Sequence, residues 1–257
     1  MKSRYPSVLL VLLVAACQVA EEPQQGMETM LPELASHADS LAFRALEASG
    51  GEMAMRSMPY LRFDFGTNPE SPRRHLWDKM SGDYRLEYLR GDTSVVVLFN
   101  TGTRAGAAFR DGAPAADSDR LVDRGYSAFI NDTYWLMMPV KMLDPGVSRE
   151  VVADSSSSEH EVVRLWFDQV GLTPGDTYYV WVNRETGMVD RWHYVLQSGS
   201  QQWCNWLDYT ELASPQGPVR LSARKECSRF VMHTGSLDAP SSVAEDMFSD
   251  PNPRLGA

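Results

Sequence analysis

Tyr84-Arg-Leu-Glu-Tyr-Leu-Arg-Gly-Asp-Thr-Ser-Val-Val-Val-Leu-Phe99 is the stretch whose reading decides the fold. Tyr84, Leu86 and Tyr88 alternate with Arg85 and Glu87, a period of two that places one apolar row on one side of a strand. Val95 to Phe99 is a continuous apolar strand, and Gly91-Asp92 supplies the turn between the two.

The same pattern extends in both directions. Upstream, Leu61, Phe63 and Phe65 alternate with Tyr60, Arg62 and Asp64, and Arg74–Met80 is strand-like. Downstream, Val163, Leu165 and Phe167 alternate with Arg164, Trp166 and Asp168, and Tyr178, Val180 and Val182 alternate with Tyr179, Trp181 and Asn183. Val189–Leu196, Gln202–Thr210 and Val219–Val231 complete the series. Short turn signals such as Ser81-Gly82-Asp83, Pro174-Gly175-Asp176, Glu185-Thr186-Gly187 and Ser214-Pro215-Gln216-Gly217-Pro218 separate the runs. Strands at this spacing form an antiparallel meander. Large aromatics stand on both sides of many strands, so the sheet has to be covered on both faces or curl around something.

Two segments break the pattern. Leu34, Ala38, Leu41, Ala42, Ala45 and Leu46 recur at spacings of three and four, and Pro32 suits a first turn. This reads as one helix, ended by Gly50-Gly51 as a C-cap. The second break is Asp117 to Gly146, in which Leu121, Val122, Phe129, Ile130, Tyr134, Met137 and Met138 line one side of a helix expected to break at Pro139. Its apolar residues are rich in Met and aromatics, which adapt to irregular apolar partners. It reads either as a plug for the core or as a lid on an apolar ligand.

The N-terminus carries a different message. Met1-Lys2-Ser3-Arg4 is basic, Ser7 to Ala16 is apolar, and Cys17 follows at once. This is the layout of a secretory signal, and the apolar run is short of the roughly 20 residues that span a bilayer. Val14-Ala15-Ala16-Cys17 resembles the lipobox of bacterial lipoproteins, in which signal peptidase II cuts before a lipid-modified cysteine; the alternative is an ordinary signal peptide with a chance cysteine. The resemblance implies residues 1–16 as signal peptide, acylation of Cys17, a polar tether over 17–30 and a folded domain over 31–250. Gln18, where an Asp would favour the inner membrane, leans towards the outer membrane.

The 257-residue chain carries a formal net charge of −10, and loss of Lys2 and Arg4 makes the exported form more negative. An acidic body argues against nucleic acid as a partner. The chain is 43% hydrophobic, enough for a large core. It has no G-x-S-x-G, H-E-x-x-H, P-loop, G-x-G-x-x-G or C-x-x-C motif. The histidines (37, 75, 160, 193, 233) lack metal-ligand spacing, so neither metal nor cofactor is expected. Asp64, Asp78, Asp132, Asp144 and Asp168 each read as a cap, a turn residue or a solvated strand position. His75 with Trp77, and Arg191 with His193, read as ordinary barrel-face pairs.

Cys204 and Cys227 are the two thiols left once Cys17 is lipidated. Export would place them in an oxidising compartment. A register centred between Pro215 and Gln216 sets Cys204 opposite Cys227, which predicts a cross-strand disulfide over two free thiols.

Three strings carry a wider resemblance: Phe129-Ile-Asn-Asp-Thr-Tyr-Trp-Leu136, Lys141-Met-Leu-Asp-Pro-Gly146 and Val170-Gly-Leu-Thr-Pro-Gly-Asp-Thr-Tyr178. With the lipobox and the helix ending Ala45-Leu46-Glu47-Ala48-Ser49-Gly50-Gly51, they resemble the lipoprotein-carrier fold of bacterial lipoprotein sorting. They are closer still to an uncharacterised, largely Bacteroidetes-type family of envelope proteins with that fold. The resemblance implies an α+β architecture: an antiparallel open (incomplete) β-barrel meander, with an N-terminal helix and an inserted helical segment covering or filling the cavity. It implies an acyl chain or lipoprotein as partner, and for such a binder the candidate lining residues are Trp77, Phe129, Tyr134, Trp135, Met137, Met138 and Trp181. A structural or interaction lipoprotein with a self-filled barrel, and a hydrolase without a recognisable motif, stay open beside the non-enzymatic binder.

Cys17 is expected to be acylated in the cell, and Cys17→Ala to release or mislocalise the protein. Metabolic labelling with an alkyne fatty acid checks this; an unlabelled wild type cleaved elsewhere would refute it.

Overall fold

The computed structural model describes residues 34–168 and 171–256; Cys17 and the segments assigned to signal and tether lie outside them. Two helices come first, α1 (His37–Ala48) and α2 (Gly51–Ser57). Six strands follow: β1 (Tyr60–Gly66), β2 (Arg73–Asp78), β3 (Asp83–Arg90), β4 (Thr93–Asn100), β5 (Gly106–Arg110) and β6 (Ala113–Pro114). The long helix α3 (Ser118–Lys141) leads to β7 (Val147–Val151), β8 (His160–Phe167), β9 (Thr177–Asn183) and β10 (Val189–Val195). The last strands are β11 (Gln201–Leu212), β12 (Val219–Cys227) and β13 (Val231–Asp238), followed by an irregular segment with a turn at residues 245–249.

All thirteen strands form one antiparallel sheet in the order β6-β5-β4-β3-β2-β1-β13-β12-β11-β10-β9-β8-β7. The sheet is not closed: its two edges are β6 and β7, consecutive in sequence and joined by α3. The expected open meander with helical cover is the observed architecture. The hairpin read first from the sequence is β3–β4, with Tyr84 opposite Phe99 and Leu86 opposite Val97.

Helix α3 runs through the whole core. Leu121, Val122 and Phe129 pack with Tyr84, Leu86, Val95 and Val97 of β3 and β4. Leu136 and Met137 meet Phe63, Phe65 and α2, while Met138 packs with the α1 stripe of Ala38, Leu41, Ala42 and Ala45. Pro139 does not break the helix as expected. It stands two residues before the end, so the one helical bond it removes, to the Trp135 carbonyl, is among the last of the helix.

The N-terminal region also departs from expectation. The helix begins at His37, capped by Ser36, whose Oγ accepts the Asp39 N–H at 3.1 Å; Leu34 lies before it and is exposed. Gly50-Gly51 is a junction between two helices, and α2 was not legible. Gly50 has φ 115°, and a Cβ there would meet the Pro218 carbonyl oxygen at 2.4 Å. Glycine is therefore required at this turn for both backbone angle and space.

In the last hairpin Cys204 stands opposite Cys227, and the two are bonded with Cα atoms 3.9 Å apart. The bond closes a loop over a sequence separation of 23. Replacing either cysteine by serine is expected to lower stability by about 3 kcal/mol on loop entropy. Urea unfolding of Cys204→Ser against wild type measures this, and thiol titration of the denatured, unreduced protein should find no free thiol at either position.

Candidate functional site

A cavity of about 740 Å³ lies between α3 and the concave side of the sheet. Its size falls within the roughly 300–1,000 Å³ of small-molecule sites. The helix contributes Phe129, Ile130, Thr133, Tyr134, Trp135, Met137 and Lys141. The spacing 130, 134, 137, 141 is one helical face. The sheet contributes Trp77 from β2, Phe167 from β8, Tyr178 from β9, Tyr194 from β10 and Met232 from β13. The large side chains of the wall are aromatic and methionine, set among smaller aliphatic and polar ones. At Leu172, which is 48% exposed, the cavity reaches the surface.

The aromatics hold one another in place. Trp135 meets Trp192 edge-on at 4.7 Å between ring centres and Tyr194 at 5.7 Å. Tyr134 lies 5.9 Å from Phe167 and 5.4 Å from Tyr178. Polar groups gather around part of the rim. Lys141 Nζ is 2.7 Å from Asp144, and Asp176 accepts from the Thr173 hydroxyl at 2.6 Å and the Gln197 N–H at 2.9 Å.

Of the seven residues expected to line an apolar site, Trp77, Phe129, Tyr134, Trp135 and Met137 do so. Two do not. Met138 is fully buried one position further round α3, where it faces α1. Trp181 is on the other side of the sheet, because β9 points Tyr178, Val180 and Val182 inward. Asn183, sharing the Trp181 face, was the sequence signal that this face is the wet one. The same parity yields Tyr178 as a lining residue.

Beneath Phe129 lies a buried polar cluster that the sequence reading missed. Asp132 on α3 is fully buried, not a cap or solvated residue. Arg73 grips it with two parallel bonds, Nε to Oδ2 at 2.7 Å and Nη2 to Oδ1 at 2.8 Å. His75 Nε2 comes within 3.1 Å of Oδ2, but at an angle too poor for a hydrogen bond. Its Nδ1 is 2.7 Å from the Tyr84 hydroxyl, and its ring stacks on Phe63 at 4.4 Å. His75 and Tyr84 are both fully buried. Phe129 packs edge-on against Tyr84 and Trp77, between the cluster and the cavity.

Burial alone would raise the Asp132 carboxyl, but His75 and Arg73 outweigh it and hold it below its ordinary value. For His75 burial dominates and keeps the imidazole neutral, while burial pushes the Tyr84 phenol well up. The group thus has the order of a relay, carboxylate to imidazole to hydroxyl, but its hydroxyl is neither exposed nor acidified. Its evident work is to fix α3 to β2 and β3.

Lys225 on β12 is a second buried charge-bearing group. Burial brings its amine down to about 7, its Nζ donates to the Ser222 carbonyl at 2.6 Å, and it lies 4.7 Å over the Trp206 ring. It packs beside the aromatic core and does not line the cavity.

No protein-family model and no curated protein matches the chain. Among solved structures it is similar to a DUF1329 family protein from Desulfovibrio piger (TM-score 0.44, 12% identity, covering 81% of this chain and 94% of that one). It is also similar to a domain described as an outer membrane lipoprotein-sorting protein from Vibrio parahaemolyticus (TM-score 0.42, 8% identity, 82% and 95%). A third is a LolA superfamily protein from Nitrosomonas europaea (TM-score 0.40, 9% identity, 81% and 97%). At these scores the likeness carries no argument about ligand or activity.

The cluster makes the fold acid-sensitive. Both groups sit below their unfolded values, so the unfolded chain binds protons first and stability falls as pH falls. His75 acts first, below its ordinary 6.5, and Asp132 nearer its ordinary 3.8. The urea midpoint should drop between about pH 7 and about pH 5, with the drop reduced in His75→Gln. Asp132→Ala should cost about 1.5–3 kcal/mol at neutral pH, because it removes the two charge-assisted bonds from Arg73, whose side chain is 39% exposed and can turn to water.

Proposed function

We propose that this protein is a non-enzymatic envelope lipoprotein that shelters an apolar chain, an acyl group or the acyl chains of a lipoprotein, in the cavity beneath α3. The observation that carries the reading is the cavity itself: large, walled by aromatic and methionine side chains, and reaching the surface at Leu172. Each buried Å² of the ligand gains about 25 cal/mol by leaving water, and the methionines in the wall adapt to a chain without fixed shape. In this reading Cys17 is acylated, residues 1–16 are removed, residues 17–30 tether the body, and the protein faces the periplasm from the outer membrane. Two of the similar structures are described as a lipoprotein-sorting protein domain and a LolA superfamily protein, which accords with this assignment without carrying it.

Catalysis finds less support. In the Arg73–Asp132–His75–Tyr84 group the carboxylate, imidazole and phenol are buried, Phe129 packs between them and the cavity, and the Tyr84 hydroxyl is spent on His75. Lys141 is engaged by Asp144.

Displacement of a fluorescent fatty acid from the purified body tests the reading. Binding is expected at micromolar protein, and Trp135→Ala and Met137→Ala should weaken it about tenfold, some 1.4 kcal/mol. Met138→Ala, whose side chain faces α1, should lower the unfolding midpoint and leave affinity unchanged. Absence of binding by folded wild-type protein would favour a self-filled barrel.

A further inference from the structure

The cavity beneath α3 is long, and its two ends differ in charge. Its lining positions on the helix run from Ser127 to Lys141, which is about 21 Å at a rise of 1.5 Å per residue. A staggered acyl chain advances about 1.25 Å per carbon, so about seventeen carbons cover that length. A methylene fills about as much space as a water molecule, roughly 30 Å³, so one such chain takes roughly 500 Å³. A cavity of about 740 Å³ then holds one chain and a small head group, and it is too small for two chains.

Among the described residues the charged lining groups are Lys141, Asp144 and Asp176, and they gather at the Leu172 end; the lining around Trp77 and Phe129 is uncharged. Three rings line the charged end and cross one another steeply. Tyr134 lies 5.9 Å from Phe167 at 73° and 5.4 Å from Tyr178 at 53°, and Phe167 lies 5.6 Å from Tyr178 at 85°. Burial first, and then the Tyr178 phenol and the Asp144 and Asp176 carboxylates, push the Tyr134 phenol well up, so this aromatic corner lies in a negative field.

The two carboxylates differ in what they leave free. Asp176 is buried, and its oxygens accept from Thr173, Tyr178 and the Gln197 N–H, so it acts on a ligand through its charge. Asp144 is 43% exposed, with only Lys141 Nζ against it at 2.7 Å. Lys141 offsets one of the two acids and keeps two further protons to donate.

We propose, resting on the apolar-shelter reading above, that the ligand is a single-chain phospholipid with a zwitterionic head: its chain lies along α3, its ammonium rests between Asp144 and the rings of Tyr134, Phe167 and Tyr178, and its phosphate meets Lys141. Aromatic rings beside a carboxylate are a recurrent site for an alkylammonium group. A wholly anionic head fits the chain space and meets an excess of acid at the mouth. A group of three acyl chains exceeds the volume.

Displacement of a fluorescent fatty acid tests the proposal, with lysophosphatidylethanolamine and lysophosphatidylglycerol carrying the same palmitoyl chain, each below its micelle concentration. The two share the phosphate and differ in the ammonium. The ethanolamine lipid is expected to displace the probe at about tenfold lower concentration than the glycerol lipid. Native mass spectrometry at saturation should count one lysolipid per protein. Asp144→Asn and Phe167→Leu should each bring the ratio of the two affinities close to one. The ratio is read within a single variant, so a general loosening of the cavity does not imitate the effect. Equal affinities in the wild type, a ratio unchanged in both variants, or two lysolipids per protein would each overturn the proposal. If both lipids bind equally, the shelter reading stands and the head-group assignment alone falls; if folded protein retains neither lipid, both fall together.

Discussion

A sheet that does not close has two exposed edges and one concave apolar face, and the rest of this structure follows from how a single helix answers that constraint. Helix α3 leaves one edge at β6 and reaches the other at β7. Along its length it supplies side chains to each main group of core residues. It can lie so close only because Gly125 has no side chain: a Cβ there would come within 3.0 Å of Val97. The Arg73–Asp132–His75 contact then sets its position on the sheet. A buried ion pair is weak evidence of net stability, but it is strict about geometry, and a helix with smooth apolar faces could otherwise slide or turn. The stretch from Ile130 to Lys141, which forms the cavity roof, thus depends on an anchor at Asp132.

The cavity and the core are made of the same materials. Trp135 and Tyr134 pack on Trp192 and Tyr178 on one side and face empty space on the other. Rings held by rings keep their orientation without a ligand, which reduces the ordering cost of binding one. The methionines do the opposite work and yield to shape. A wall that combines the two is firm where it must stay open and soft where an unbranched chain would vary.

Much of the fold was legible because strand alternation is a local property. Leu86 and Tyr84, or Val180 and Val182, declare a face without knowledge of the rest of the chain. The register of the last hairpin was legible too, because the proline- and glycine-rich turn has one centre that sets Cys204 against Cys227. Legibility failed where parity had to be converted into inside and outside. Trp181 and Tyr178 are both large aromatics three positions apart on one strand, and only the company each keeps, Asn183 against Val180, separates them. It failed again at Met138, where a helical stripe wider than one partner was read as one surface, although α1 and the cavity divide it. Asp132 was invisible for a different reason. A buried carboxylate is explained by Arg73 and His75, which lie far away in sequence on β2, and nothing local marks it. Helix α2 is seven residues long and follows two glycines, too short for a period to show.

The centre of the sheet joins β1 to β13, the first strand to the last, with Phe65 opposite Thr234 and Gly66 opposite His233. Chain order therefore governs assembly. The β1–β6 half can form its hairpins as it emerges, but β1 keeps an open edge until nearly the whole chain is available. Pairings of such long sequence separation close slowly, because loop entropy is lost before contacts repay it. During that interval the β1 edge, with Leu61, Phe63 and Phe65 on one side, can template strands from other chains. A chain so wired stays unfinished until its end arrives, and keeping the β1 edge from its neighbours until then becomes a condition of its folding.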